Sequence, residues 1–268
     1  MRRKQVLAFF AQIESCLVAM EACAGAHYWG RELMKLGHTV KLIPPRSVKP
    51  HVIGNKNDYN DARAIAEAAS RPGIRAVSVK SVEQQDIQAL HRLRKLRVKE
   101  RTALCNQLRA LIAEYGIVMG KGVRVIHREI PDLLEDAENG LSDIFRALLA
   151  RSYEQLRELE EHIDYYTQQV EVLGRQDEPT QRLQELPGFG PIVASVFSSV
   201  VGDGKAFRRG RDVSAALGIV PGQHSSGGKN VLLGISKRGD KYLRTLLIHG
   251  ARSAVLHAKK KTTTLVVG

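Results

Sequence analysis

The sequence predicts a chain built in two styles, an α/β segment followed by a longer all-α part. Short apolar runs alternate with helical patterns over residues 1–81. From Val82 onward apolar residues recur at three- and four-residue spacing over long stretches. Beyond about residue 178, glycine and proline cut the chain into shorter helical pieces. The expected organisation is therefore 1–81, an α/β region; 82–177, a helical arm; and 178–268, a C-terminal helical region. A chain of 268 residues has room for one large domain or two to three small ones, each with its own core.

The elements follow in order. "CLVAMEA" (16–22) reads as a buried strand, "GAHYWGRELMKLG" (25–37) as a helix stopped by Gly37, and "HTVKLIPP" (38–45) as a strand ended by prolines. "NDARAIAEAAS" continues as a helix and "IRAVSVKS" (74–81) as a further strand, which gives a parallel or mixed sheet covered by helices. One long helix runs from Val82 to about Gly116. A second begins near Leu141, with the stripe Leu141, Phe145, Leu148, Ser152, Leu156, Leu159, Ile163, Tyr166, Val170 and Leu173. That near-heptad pattern predicts a helical hairpin or coiled coil, and the glycine- and proline-bearing "GIVMGKGVRVIHREIPDLLED" reads as the connection. In the last region "LPGFGPIVASVF" places Gly188, Gly190 and Pro191 between two helices. "RDVSAALGI" forms another, "PGQHSSGGKNVLLG" (221–234) a glycine-rich loop or hairpin, and "SKRGDKYLRTLLIHGARSAVLHA" (236–258) a final basic helix.

Charge narrows the function classes. Forty-one Lys and Arg against 28 Asp and Glu leave a net +13, on a chain with an ordinary 43% of hydrophobic residues. A foldable but strongly basic chain suits a polyanion, nucleic acid above all, although surplus cations also serve solubility alone. Three cysteines, Cys16, Cys23 and Cys105, make no C-x-x-C pair, which argues against a disulfide framework and a zinc knuckle and fits a reducing cytoplasm. Gln12 and Glu14 interrupt the apolar N-terminal run before it reaches signal-peptide or membrane length, so neither export nor a membrane partner is expected.

Several polar constellations have both a structural and a chemical reading. Asp58 and Asp61 suit the first turn of a helix capped by Asn57 or Asp58, where the dipole favours acids. The same spacing points both carboxylates to one helix face, where they can share a hard divalent cation such as Mg²⁺. Glu21, at the end of an apolar strand, is the candidate third ligand, since ligands of open α/β sheets gather beyond strand C-termini. "LPGFGPIVA" is similar to a helix-hairpin-helix turn, in which backbone N–H groups around Gly188 and Gly190 face a phosphate; the alternative is a tight turn between packed helices. "HSSGGK" offers a serine approachable through its flanking glycines, or simply a flexible turn. Lys229, Lys237, Arg238, Lys241 and Arg244, together with the run "HRLRKLRVKER" (91–101), supply cations for phosphates.

The motifs "MEACAGAHYWGREL", "GNKNDYNDARAI", "VKSVEQQDIQALHRLR", "LPGFGPIVA" and "PGQHSSGGKNVLLGISKRGDKYLRTLLIHGAR" together resemble the DEDD-type insertion-sequence transposases, over about residues 4–258. The resemblance implies a ribonuclease-H-like, resolvase-like N-terminal domain, a coiled-coil arm through which copies pair, and a helical transposase domain. It further implies DNA transposition guided by an element-encoded RNA. Carried over residue by residue, it makes Glu21, Asp58 and Asp61 three of four Mg²⁺-binding acids and Ser226 the nucleophile that attacks a DNA phosphate, with Ser225 as the neighbouring alternative.

Members of that family begin with a strand bearing the first of the four acids, and this sequence lacks that segment. Its closing "KKKTTTLVVG" does not continue the expected helix, which suggests a shifted frame or a truncation. Losing one acid from a shared Mg²⁺ site removes charge that the ion needs, so weak or no catalysis is expected from this exact chain. The alternative function is then a catalytically inactive nucleic-acid-binding remnant of such a transposase. A metal-dependent nuclease that does not use Ser226 is a third.

Overall fold

The structure is a computed structural model that describes residues 2–55 and 57–260. It divides into two compact units, one drawn from residues 1–85 and 198–244 and the other from 86–197 and 245–268. The segment from residue 261, which includes most of the closing "KKKTTTLVVG", falls outside the described residues.

The first unit starts with a short helix α1 (Val6–Phe10), strand β1 (Leu17–Glu21), helix α2 (Ala26–Lys35) and strand β2 (Thr39–Ile43). β1 and β2 pair in parallel, with Leu17 opposite Thr39 and Glu21 opposite Ile43. A parallel pair needs a crossover, and α2 supplies it. Its close approach requires Gly30, where a Cβ would stand 2.9 Å from a methyl of Val79. His38, 4% exposed, ties α1 to the strands: it accepts from the Cys16 N–H at Nδ1 (3.2 Å), which leaves Nε2–H to donate to the Phe10 carbonyl (2.9 Å).

Next come α3 (Pro45–Val48) and α4 (Asp58–Ser70). Ala64 and Ala68, one turn apart on α4, are fully buried against Ile43 and Val48. The expected strand at 74–81 does not form. Only an isolated antiparallel bridge joins Val77 to Leu42. Side chains of α2 supply partners to this segment: Lys80 N–H donates to His27 and the Lys80 carbonyl accepts from Arg31. These bonds take up both backbone groups of Lys80, at the end of the segment, which a ladder would otherwise use.

The second unit is helical. α5 (Val82–Ala113), α6 (Val123–Glu135) and α7 (Asp143–Gln176) share a core of Cys105, Leu108, Ile112, Met119, Ile126, Ile130, Phe145, Leu149 and Leu156. α6 lies where the sequence suggested a mere connection, and it contains Pro131. Proline frees the carbonyl four residues back, and that carbonyl, on His127, accepts from the Tyr153 hydroxyl at 3.5 Å. The C-terminal carbonyls of α6 are gathered by one side chain, Arg146, which donates to Leu133, Leu134 and Asp136. α7 begins on a Ser142 cap, whose hydroxyl accepts from Phe145 N–H. Its buried stripe runs through Leu149 rather than the expected Leu148, which is 60% exposed. Consecutive residues lie about 100° apart around a helix, so with Leu149 on the buried face Leu148 turns toward solvent.

α8 (Glu178–Gln184) and α9 (Pro191–Val201) flank the Gly188 turn, and α10 (Gly210–Leu217) precedes a two-stranded antiparallel hairpin, β3 (Pro221–Gln223) and β4 (Leu232–Ile235). The last helix, α11 (Lys241–Lys260), starts later than the sequence pattern suggested. Asp240 caps it by accepting from the Leu243 N–H. Before it the chain turns tightly, because a Cβ on Gly239 (φ +81°) would fall 1.8 Å from the Ala216 carbonyl oxygen. Lys237 and Arg238, expected inside the helix, therefore lie in the turn that precedes α11.

Candidate active site and nucleic-acid interface

The serine pair sits at the tip of the β3–β4 hairpin, and its two members are held differently. Ser226 and Lys229 bridge across the turn, with Lys229 N–H donating to the Ser226 carbonyl at 3.0 Å. Between them Gly227 (φ +55°) and Gly228 (φ +76°) adopt the positive φ that a tight two-residue hairpin turn demands. The Ser225 hydroxyl is committed to the hairpin, accepting from the Val231 N–H (3.2 Å) and from Gln223 Nε2 (2.9 Å). Ser226 is exposed, and its hydroxyl has no hydrogen-bond partner among the described residues. Local geometry thus separates two serines that spacing alone left equivalent.

The acids lie in the same unit. Asn57 is the N-cap of α4, accepting from the Asn60 N–H at 2.8 Å, so Asp58 and Asp61 are both first-turn residues beside the positive end of the helix. Glu21 closes β1 opposite Ile43. Among the described residues no three His, Cys, Asp or Glu side chains are grouped so as to hold a metal ion. The donors have the hard-oxygen chemistry that Mg²⁺ takes, but Glu21, Asp58 and Asp61 do not converge here as a three-ligand set.

The basic candidates divide as well. Lys229, Lys237, Arg238 and Lys241 are exposed, and Lys237 has an unusual positive φ of 55°. Arg244 is 8% exposed and inward: its guanidinium donates to the carbonyls of Leu217 (3.0 Å) and Arg238 (2.9 Å). It fastens the C-terminus of α10 to the turn before α11 and has little surface left for a phosphate. Gly188 (φ +87°) packs against α11, where its Cβ would stand 2.7 Å from the Gly250 carbonyl. Gly190, among the described residues, has nothing within 4 Å of such a Cβ.

One feature of the first unit escaped sequence reasoning. A cleft of about 780 Å³ is lined by Arg46, Arg75, Lys80, Lys205 and Phe207, among others. Arg75 lies over the Phe207 ring at 5.3 Å and reaches Asp212 at 3.4 Å. These cations come from distant parts of the sequence, so no run of charge announced them.

Comparison with known proteins places the chain among the insertion-sequence transposases. A family model described as Transposase, of the IS110 DEDD type, matches residues 2–117, and the Transposase IS116/IS110/IS902 family model matches residues 180–266. The chain is 48% identical over 263 residues to a probable family 20 transposase of Pseudomonas aeruginosa, covering 98% of this chain and 78% of that protein. It is 47% identical to the transposase for insertion sequence element IS1111A of Coxiella burnetii (97% and 72% covered). It is 44% identical to that for IS1328 of Yersinia enterocolitica (93% and 74%). The chain belongs to the transposase IS116/IS110/IS902 family. No helix among the described residues is long and apolar enough to cross a membrane.

Proposed function

We propose that this transposase breaks and rejoins element DNA by transesterification with the Ser226 hydroxyl as nucleophile. The observation that carries the reading is the contrast at the hairpin tip: Ser225 is occupied by two hydrogen bonds, whereas Ser226 is exposed and unpaired among the described residues. Ser226 Oγ bonds to the phosphorus, the strand's P–O bond breaks, and the departing oxygen leaves as an alcohol after taking a proton. The serine proton passes to solvent or to a base. Attack by another strand's hydroxyl on the serine phosphodiester reverses the step and joins the strands. Lys229, across the two-glycine turn, brings a cation to the same tip, and Lys237, Arg238 and Lys241 extend the positive surface of this unit.

Mg²⁺ belongs to the reading through Glu21, Asp58 and Asp61, whose carboxylates have the donor chemistry for it. Among the described residues these three do not come together as a ligand set. An element-encoded guide RNA and pairing of copies through the helical arm complete the proposal. The +13 charge supports the first; exposed Leu93, Leu96 and Leu148 on the long helices support the second.

The test is covalent capture of labelled element-end DNA, read on a denaturing gel with and without Mg²⁺. On this reading the wild-type chain forms an adduct, at low yield because its three acids do not converge, and Ser226→Ala forms none. Metal-dependent cleavage that ignores Ser226→Ala would instead establish the nuclease reading. The uncombined carboxylates favour a second reading, nucleic-acid binding without chemistry. It predicts equal DNA affinity for both proteins and no adduct from either.

A further inference from the structure

A second aromatic and basic site lies far in sequence from the serine hairpin. Arg2, Arg3, Lys4, Leu7, Tyr28 and Trp29 line a cleft of about 590 Å³ in the first unit. Tyr28 and Trp29 meet edge to face, with centroids 5.1 Å apart and planes at 70°. The Arg3 guanidinium stands over the Trp29 ring at 5.3 Å. Tyr28 is 42% exposed, and Arg2, Arg3 and Lys4 are all exposed. Among the described residues no carboxylate lines the cleft.

A purely structural role accounts for part of this, since the Arg3–Trp29 contact pins the N-terminal turn to α2. It does not account for Tyr28, an adjacent aromatic ring left open to solvent in a chain with only 5% aromatic residues. Nor does it account for two further cations, Arg2 and Lys4, on the same wall. Exposed rings beside a short basic run are the chemistry that holds single-stranded nucleic acid: a base stacks on the ring face and the flanking phosphates meet the cations.

We infer that the Tyr28–Trp29 cleft is a stacking site for an unpaired nucleotide, with Arg2 and Lys4 on its flanking phosphates. It shares with the proposed function the premise of a nucleic-acid partner, and it is independent of Ser226 chemistry.

The sequence supplies a built-in reporter, because Trp29 is the only tryptophan in the chain. The experiment titrates the full chain with single-stranded oligonucleotides of about ten nucleotides, following tryptophan fluorescence. Saturable quenching is expected with oligo-dT or oligo-U, and the stronger of the two identifies DNA or RNA as the source of the strand. An abasic oligomer of equal phosphate count and a duplex are expected to quench little. Tyr28→Ala is expected to raise the midpoint about tenfold. Tyr28→Phe, which keeps the ring, should restore it and so controls for folding. Removing Arg2 and Lys4 together should lower the slope of log affinity against log salt by about 0.7 for each phosphate that is no longer neutralised. Quenching that is absent, that is equal with the abasic oligomer, or that is indifferent to Tyr28→Ala overturns the inference. Ser226→Ala should leave quenching intact, so loss of DNA capture and loss of quenching report the two readings separately.

Discussion

Gly188 and Gly250 meet backbone to backbone: a Cβ on Gly188 would lie 2.7 Å from the Gly250 carbonyl, and one on Gly250 only 2.1 Å from the Gly188 carbonyl oxygen. Neither glycine can gain a side chain unless the turn and α11 move apart. The role of Gly188 is thus fixed by packing, whatever the turn also does for a ligand. Gly188→Ala is expected to destabilise the chain by about 1–3 kcal/mol, from overpacking and from its positive φ. Gly190→Ala, with open space where its Cβ would go among the described residues and no positive φ, should be near neutral. Thermal or urea unfolding of the two variants checks the contrast; equal effects would remove the packing account.

His91 gives the second unit a pH dependence. The ring is 2% exposed, and Nε2 lies 3.0 Å from Ser195 Oγ. Burial, and after it the nearby Arg94 charge, pushes its pKa down to about 4 from an ordinary 6.5. Between those values the unfolded chain binds a proton that the folded chain refuses. Stability is therefore full above pH 6.5 and is lost as pH falls toward 4, by as much as about 3 kcal/mol. Urea midpoints taken across that window should fall with acidity for the wild type. For His91→Gln they should fall much less.

Much of this architecture was legible from residue pattern alone. β1, β2, α2 and α4 stand where apolar runs and helical spacing put them, although β1, expected as a buried strand, is only half-buried and its Leu17 is 58% exposed. The failures have particular causes. α6 was hidden by Pro131, whose freed carbonyl is served by Tyr153 from a different helix, a contact that no local pattern announces. The segment 74–81 has strand composition, yet it pairs only through the Val77–Leu42 bridge, and His27 and Arg31 of α2 take up the backbone groups of Lys80. Ser225 and Ser226 look alike in sequence and differ only in what the folded hairpin brings to them. Arg244 looked like its basic neighbours until the carbonyls of Leu217 and Arg238 gave it inward partners.

That inward placement of Arg244 has its own test. Arg244→Ala removes hydrogen bonds to two carbonyls and strands both, at a cost of about 2–4 kcal/mol. Arg244→Lys should recover only part, since an ammonium lacks the planar fork. Unfolding measurements on both variants are the check. Lys241→Ala, at an exposed position, should leave stability within about 0.5 kcal/mol of wild type.

The two hairpin serines should separate structurally as well as chemically. Ser225→Ala deletes the acceptor for the Val231 N–H and should loosen the tip, raising the rate of limited proteolysis within residues 224–231. Ser226→Ala should leave that rate unchanged. A reversed order would exchange the roles assigned to them.

The β4 strand has one consequence for how this protein behaves at high concentration. Val231, just before β4, and Leu232, Leu233 and Ile235 within it are 46%, 68%, 56% and 39% exposed, and among the described residues no third strand pairs with this two-stranded sheet. Such a strand is a template for other chains. Lys229 on one side and Lys237 and Arg238 on the other place like charges at both ends of it, as gatekeepers against self-association. A polyanion that neutralises these residues removes the repulsion between neighbouring hairpins. The cations of this surface thus govern colloidal behaviour along with ligand contact.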